Sequence, residues 1–333
     1  MKTRRMGRSS LLVSELCLGT MMFGDQTDAA AAADIVALAR ERGVNFVDTA
    51  DVYARGGSEA MLGPLLKPDR DRWVLASKVG NPMSKASNTS RYSRKWLIEA
   101  LDASLARLQT DYLDIWYLHR DFDDGGDEEM LYTVADLIRA GRIRYWGLSN
   151  FRGWRIATLC GMAARMGMPG PLVCQPYYNL LNRQPEVEIL PACAHHGLGV
   201  ATYSPVARGV LTGKYAPGSA PPEGSRAGRG DRRILETEWR EESLAIAQTL
   251  KAHAEARGIT LVQFAVAWLL ANGVVTSVIA GPKAVGQFAD YFGALDYAWS
   301  DEDEALVDSL VTPGHASTPG YHDPQYPFRG RRR

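Results

Sequence analysis

What this sequence does not contain narrows it first. It has no apolar run that is both long and unbroken. The most apolar stretch, residues 259–280, is interrupted by Gln263, Asn272, Gly273, Thr276 and Ser277, whereas a membrane helix needs about 20 consecutive apolar residues. The stretch reads instead as a buried helix, a turn at Asn272-Gly273 and a buried strand. Net charge is also missing: 38 Lys and Arg balance 38 Asp and Glu, so no global field favours nucleic acid or a membrane surface. Cysteine is scarce, with 4 in 333 residues. Cys17, Cys160, Cys174 and Cys193 are scattered and no pair has metal-ligand spacing, so they read as buried thiols of a reducing compartment, with no metal site. The charged opening Met1-Lys2-Thr3-Arg4-Arg5 has no apolar run behind it; no signal peptide and a cytoplasmic location are expected. The basic end Arg331-Arg332-Arg333 reads as a solvated tail. A Gly-x-Gly-x-x-Gly turn is absent, and GVLTGK at 209–214 is one residue short of a phosphate loop. A Rossmann-type dinucleotide site is therefore not indicated.

What is present is an alternation. Apolar, β-prone runs at 16–18, 45–47, 73–76, 113–118, 143–147, 172–174, 199–202 and 277–279 are separated by segments of helical period. Most of these runs are rich in Val, Ile and Leu without clean two-residue alternation, as in strands buried on both faces. Residues 29–42 form a helix with Asp28 as N-cap and Gly43 as stop. Residues 94–108 place Leu97, Leu101, Leu105 and Leu108 on one face. Helices at 127–140, 153–166 and 243–257 each end at a glycine. Eight strand–helix repeats predict a (β/α)8 TIM barrel, α/β in class, as one domain over 1–333. Three segments break the rhythm. Residues 4–14 look like a hairpin turning at Gly7-Arg8 that could plug the barrel floor. Residues 205–238, after the seventh strand, form a loop too long for an ordinary connection. The tail 312–333 is irregular, yet it keeps Tyr321, Tyr326 and Phe328, which points to packing.

The candidate chemistry sits at strand ends. Asp48, Lys78 and His119 each close a strand-like run, and Tyr53 follows Asp48 by five residues. Carboxyl ends of barrel strands converge on one mouth, where such barrels do chemistry. Singly, each has a bland reading: a surface Lys, a packing Tyr, a capping Asp. Together they interlock. A phenol of ordinary pKa about 10 is a poor acid at neutral pH, and a nearby ammonium favours its phenolate. Lys78 can supply that field, Asp48 can hold Lys78 charged, and His119 can hydrogen-bond a carbonyl or relay the proton. The implied step is protonation of an oxyanion formed when a carbonyl accepts hydride, which needs a cofactor. Ser149 and Asn150 end the fifth strand and Gln175 ends the sixth; their side chains suit a carboxamide. Tyr203 ends the seventh, where its ring can stack on a flat heterocycle. Gly281 and Lys283 follow the eighth at a helix start, a setting that phosphates favour.

These pieces, LGTMMFG (18–24), NFVDTADVY (45–53), SLARLQTDYLDIWYLH (104–119), WGLSNF (146–151), QPYYNLLNR (175–183), YSPVARGVLTGKY (203–215) and GPKAVGQ (281–287), resemble the aldo-keto reductase family in order and spacing over nearly the whole chain. The potassium-channel β subunits share this fold. The resemblance implies Tyr53 as proton donor supported by Asp48, Lys78 and His119. It implies NADPH/NADP+ as cofactor, with NADH weaker. Ser149, Asn150 and Gln175 would bind the nicotinamide carboxamide and Tyr203 would stack on the ring, with Gly19, Thr20, Met21 and Asp48 also among the cofactor-binding residues. Leu211, Gly213 and Lys214 would lie along the pyrophosphate, and Gly281, Lys283 and Gln287 at the adenosine phosphate end, with Ser204, Pro205, Val206, Gly209, Ala280, Asp290 and Tyr291 also among the cofactor-binding residues. Three positions depart from the family pattern. Lys283 stands where Arg is common, keeping the charge but losing the fork. Tyr291 stands where Asn is usual, and Asp290 replaces a Glu. Met22, Phe23, Tyr53, Arg120 and Asp121 should face substrate. With Asp123 they make a polar mouth suited to hydroxylated or bulky ketones and aldehydes. The expected partner is a small carbonyl compound, with no nucleic acid and no membrane, in a monomer or homo-oligomer. The alternatives are a cofactor-binding regulatory subunit with slow turnover and a Schiff-base enzyme using Lys78, which the cofactor motifs disfavour.

Overall fold

A computed structural model describes residues 1–122 and 125–327. Asp123, Phe328 and Arg331 to Arg333 lie outside the described residues. The strands are β1 (Thr3–Arg5), β2 (Leu12–Ser14), β3 (Leu16–Gly19), β4 (Phe46–Asp48), β5 (Val74–Val79), β6 (Leu113–Leu118), β7 (Ile143–Ser149), β8 (Val173–Gln175), β9 (Gly199–Thr202) and β10 (Ser277–Ala280). Strands β3 to β10 close into a barrel in chain order, with β10 paired in parallel to β3. Helices separate the strands, so the (β/α)8 barrel expected from the alternation is the fold. Barrel strands are buried on both faces, which is why Val, Ile and Leu fill them without alternation.

Strand β5 is longer than the apolar run that announced it. Ser77 and Lys78 interrupt the hydrophobic pattern, but Ala76 to Val79 pair with Ile115 to Leu118 of β6 and continue the ladder. Lys78 is thus inside the strand rather than after it. Strand β7 gains two residues for the same reason, Ser149 pairing with Gln175. Helix boundaries fall close to their sequence signals. The helix Ala29–Glu41 is capped by Asp28, whose Oδ1 accepts from the Ala31 amide at 2.9 Å, and Gly43 leaves it at φ +77°. The helix Arg94–Leu108 is capped by Ser93.

The chain divides into two compact units. The first comprises Met1–Pro176, Glu188–Ala201 and Val274–Ala289, and contains almost all of the barrel. Its N-terminal hairpin pairs Arg4 with Val13. The turn of that hairpin reaches the amino ends of β8 and β9: Arg8 N donates to Gly197 O at 3.0 Å, and Met6 is fully buried. Arg4 Nη1 donates to Val275 O at 2.8 Å. The hairpin therefore closes the barrel floor, opposite the mouth.

The second unit comprises Tyr177–Val187, Thr202–Gly273 and the described residues from Asp290 onward. The stretch after β9 holds a 3-10 turn, Ala207–Thr212, and a short helix, Arg232–Thr237. The tail packs on this unit. Ser317 N donates to Leu181 O at 3.0 Å, the Arg240 guanidinium lies 3.7 Å from the Tyr321 ring centroid, and Asp323 takes both Nη atoms of Arg233. Among the described residues no single helix is long and apolar enough to cross a membrane. The apolar stretch near 259–280 resolves into the helix Leu261–Ala271 and strand β10, as its interruptions indicated.

Candidate active site

The centre of the first unit's mouth is Lys78. It is fully buried, and its ammonium donates to Asp48 Oδ2 at 2.5 Å, Thr49 O at 2.8 Å and Tyr53 Oη at 3.1 Å. All three of its donors are thereby used. Burial works against its charge, but Asp48 and then Tyr53 outweigh that, and the ammonium titrates above its ordinary value. Tyr53 lies five residues past Asp48, on the turn Tyr53–Gly56, where Ala54 and Arg55 take left-handed φ values of +47° and +54°. That tight turn folds the phenol back over the strand end. The Tyr53 and His119 rings meet edge to face at 5.9 Å between centroids. His119, first after β6, is buried and its Nδ1 has no hydrogen-bond partner among the described residues. Burial, and then Lys78, hold its pKa well below the ordinary value, so the ring is neutral at pH 7. Asp48, Tyr53, Lys78 and His119 are brought together as expected.

The Lys78 charge draws the Tyr53 phenol toward phenolate, as expected, but loss of water around the hydroxyl is the larger effect, and with Asp48 it leaves the Tyr53 pKa above its ordinary value.

A polar chain continues from this centre. Gln175 Nε2 donates to Asp48 Oδ1 at 2.8 Å, and Ser149 Oγ donates to Gln175 O at 3.1 Å. Asn150 adopts φ +63°, and its Nδ2 donates to His119 O at 3.0 Å and to Ser149 Oγ at 3.1 Å. Backbone pairing accounts for the convergence: β4, β5, β6, β7 and β8 are adjacent in the barrel and all end here. Thr20 is buried, and its hydroxyl donates to Asp48 O at 3.1 Å. Gly19 has no room for a side chain, since a Cβ would lie 2.7 Å from Ile279 Cγ2. Met21 is exposed, Met22 is half-buried and Phe23 is fully buried in the unit. Asp121 accepts from Arg155 Nε at 3.0 Å, and Arg120 backbone groups are bridged by the Tyr92 hydroxyl. Ala280 ends β10; Gly281, Lys283 and Gln287 are exposed, with Lys283 N donating to Gln287 Oε1 at 3.0 Å.

The remaining positions belong to the second unit. Tyr203 stacks at a tilt on Tyr177, with centroids 5.6 Å apart. Ser204 takes φ +56° and its carbonyl accepts from Asn179 Nδ2 at 3.0 Å. Pro205, Gly209 and Leu211 are buried, Val206 is half-buried and Lys214 is exposed. Gly213 is left-handed at φ +70°, and Gln248 Nε2 pins its carbonyl at 3.1 Å. At the far end, Asp290 accepts from Thr260 Oγ1 at 3.0 Å and Gln263 Nε2 at 2.9 Å, and Tyr291 is buried.

Comparison with known proteins bears on the whole chain. The sequence profile of the Aldo/keto reductase family matches residues 15–312. The chain belongs to that family. Two relatives are each named "Probable voltage-gated potassium channel subunit beta", one from Arabidopsis thaliana and one from Oryza sativa subsp. japonica. Each is 36% identical over 303 residues, covering 89% of this chain and 92% of the relative. Membership makes this aldo/keto reductase an oxidoreductase by family, with a nicotinamide cofactor and a small carbonyl substrate as the family's chemistry. The set Ser149, Asn150 and Gln175 fits a carboxamide by its donor and acceptor chemistry, and Lys283 offers an exposed cation.

Two parts of the site went unseen in the sequence. Thr49 contributes a carbonyl, which side-chain identity does not reveal. Asp51, three residues after Asp48, is a second buried acid, whose charge acts on Tyr53, and only the spacing Asp-x-x-Asp-x-Tyr hinted at it.

Proposed function

We propose that this aldo/keto reductase reduces a ketone or aldehyde to an alcohol, reversibly, with NADP(H) and with Tyr53 as general acid. The observation that carries the reading is the saturated, buried ammonium of Lys78 fixed between Asp48 and the Tyr53 hydroxyl, beside a neutral His119. A neutral imidazole can donate to a carbonyl oxygen and polarise it without competing as a stronger acid. A reduced nicotinamide, when bound, supplies the hydride. Tyr53 then delivers its proton to the alkoxide oxygen, and Lys78, held charged by Asp48, stabilises the phenolate left behind. Ser149, Asn150 and Gln175 would hold the carboxamide, and Lys283 would meet the 2′-phosphate that separates NADPH from NADH. The same ammonium, charged and with every donor engaged, is a poor nucleophile, which counts against Schiff-base chemistry.

The test is a fluorescence titration with NADPH and NADH, followed by NADPH consumption on a panel of ketones and aldehydes. Tight binding with turnover supports the reading; no binding of either nucleotide overturns it. The names of the two relatives favour a second reading, a nicotinamide-binding regulatory subunit with slow turnover. Slow single-turnover kinetics together with specific capture of a membrane-channel partner would select it.

A further inference from the structure

Beside the proton donor lies a carboxyl group that the reduction does not use. Asp51 sits three residues after Asp48 and two before Tyr53, and its amide donates to Lys78 O at 3.2 Å. It is 1% exposed, and neither carboxyl oxygen has a well-formed hydrogen bond among the described residues. The amide of Val52, next in the chain, favours the carboxylate but does not outweigh burial and Glu59. The charged and titratable groups facing it are Glu59 of the helix Gly57–Leu66, Arg107 of the helix Arg94–Leu108, Lys78 of β5 and Tyr53 of its own turn.

Both cations are already committed. Arg107 donates through Nε to Glu59 Oε2 at 2.8 Å, and Ser77 Oγ donates to Glu59 Oε1 at 2.5 Å. Gly56 makes room for that arginine, because a Cβ there would lie 2.8 Å from Arg107 Cδ. Lys78 is spent on Asp48. A carboxylate at position 51 would thus be a buried anion beside another, without a cation of its own. Burial, and then Glu59, raise its pKa to about 8, so at neutral pH it carries its proton.

We propose that Asp51, a buried carboxyl without a hydrogen-bond partner or a cation of its own and two residues before Tyr53 in the chain, is a positioning residue for Tyr53: its charge state sets how firmly the phenol holds its proton. When Asp51 ionises, its proton leaves to bulk water, and no redox change accompanies it. The consequence rests on the proposed function. Reduction needs the phenol protonated, and alcohol oxidation needs the phenolate. A negative Asp51 makes Tyr53 hold its proton more strongly, so reduction persists further into alkali and oxidation begins later.

Three measurements on the full chain test this, two of them without turnover. The first compares the pH dependence of stability in the wild type and Asp51→Asn. The folded pKa is raised above the ordinary 3.8 to about 8, so across that window the folded state binds a proton that the unfolded state has lost. Stability contributed by this group therefore falls as pH rises between about 4 and 8, and the Asn variant should show a slope flatter by up to one proton. Equal slopes overturn the neutral carboxyl. Second, the tyrosinate absorbance of Tyr53, taken as the difference from Tyr53→Phe, should move to lower pH in Asp51→Asn by about half to one unit. No movement overturns the link to Tyr53, whatever the protein turns out to reduce. Third, the alkaline limb of kcat/KM for reduction should move in the same direction. A uniform loss of rate with an unmoved limb means a structural role only. Should the Asn variant fail to fold, carbon-13 labelling of aspartate in the wild type decides the first point. One carboxyl must titrate near 8, and its absence overturns the proposal.

Discussion

At the scale of single residues the site is a contest between water loss and charge. Tyr53 gains the field of Lys78 but loses solvent, and solvent loss wins. The phenol therefore stays protonated, as the general acid of the proposed reduction must be. Tyr53→Phe removes only the hydroxyl. It should lower kcat by about 10²-fold or more, while NADPH still quenches the protein's fluorescence with unchanged affinity. Turnover within a few-fold of wild type would remove Tyr53 from the role of acid. Lys283 presents a different balance. It is exposed, so its charge acts through water, and in the proposed reading its selectivity would rest on proximity to the 2′-phosphate dianion. Lys283→Glu should weaken NADPH by about tenfold, roughly 1.4 kcal/mol, and NADH far less. Equal losses for the two nucleotides, read by the same titration, would detach Lys283 from the 2′-phosphate.

At the scale of elements, what the sequence made legible depended on how each element announces itself. The eight barrel strands were readable because burial on both faces demands continuous Val, Ile and Leu. The helices were readable from the cap Asp28, the stop Gly43 and the one-sided row Leu97, Leu101, Leu105 and Leu108. What was masked was the far end of β5, where polar Ser77 and Lys78 occupy strand positions because their partners, Glu59 and Asp48, lie inside the fold. The pattern breaks at the candidate site, and side chains paired by tertiary contacts leave no local period to detect. The hairpin was legible through Gly7. That glycine is left-handed at φ +53°, and a Cβ would lie 2.7 Å from both Gly197 O and Gly199 N. Backbone atoms on that side cannot yield cheaply. Gly7→Ala should therefore cost about 1–3 kcal/mol, measured by denaturant unfolding, and should leave the mouth's cofactor affinity unaltered in the fraction that remains folded. A neutral result would mean that the hairpin is a loose appendage rather than a floor.

At the scale of the molecule, the sequence showed a barrel with two irregular additions but not what the additions hold. The loop after β9 and the tail carry Gly, Pro and charge, and such composition fixes no period. Their order comes from long-range pairs instead: Arg208 with Glu238, Arg240 with Thr318, and Arg233 with Asp323, all within the second unit. Residues ninety positions apart in the chain cannot be matched from composition. Asp323 takes both Nη atoms of Arg233, at 3.1 and 2.6 Å, and its side chain is 9% exposed against 21% for Arg233. A bidentate pair of this kind is worth more than a surface ion pair, because geometry and partial burial act together. It ties the tail to the helix Arg232–Thr237, and through Thr237, which accepts from Arg208 Nη1 at 3.0 Å, to the turn that follows Tyr203. Asp323→Asn keeps the shape but replaces one charge-assisted oxygen by a donor that faces a guanidinium. The expected loss is about 1–3 kcal/mol of local stability, seen as faster amide exchange across residues 232–238 and 315–323 with strands β4 to β7 unaffected. If cofactor is held by the turn after Tyr203, the same variant should also speed its dissociation, because a tail no longer anchored leaves that turn freer to open. Exchange that stays as slow as in the wild type would show that the tail is held by Arg240, Tyr321 and the backbone bond to Leu181, and that the carboxylate contributes nothing measurable.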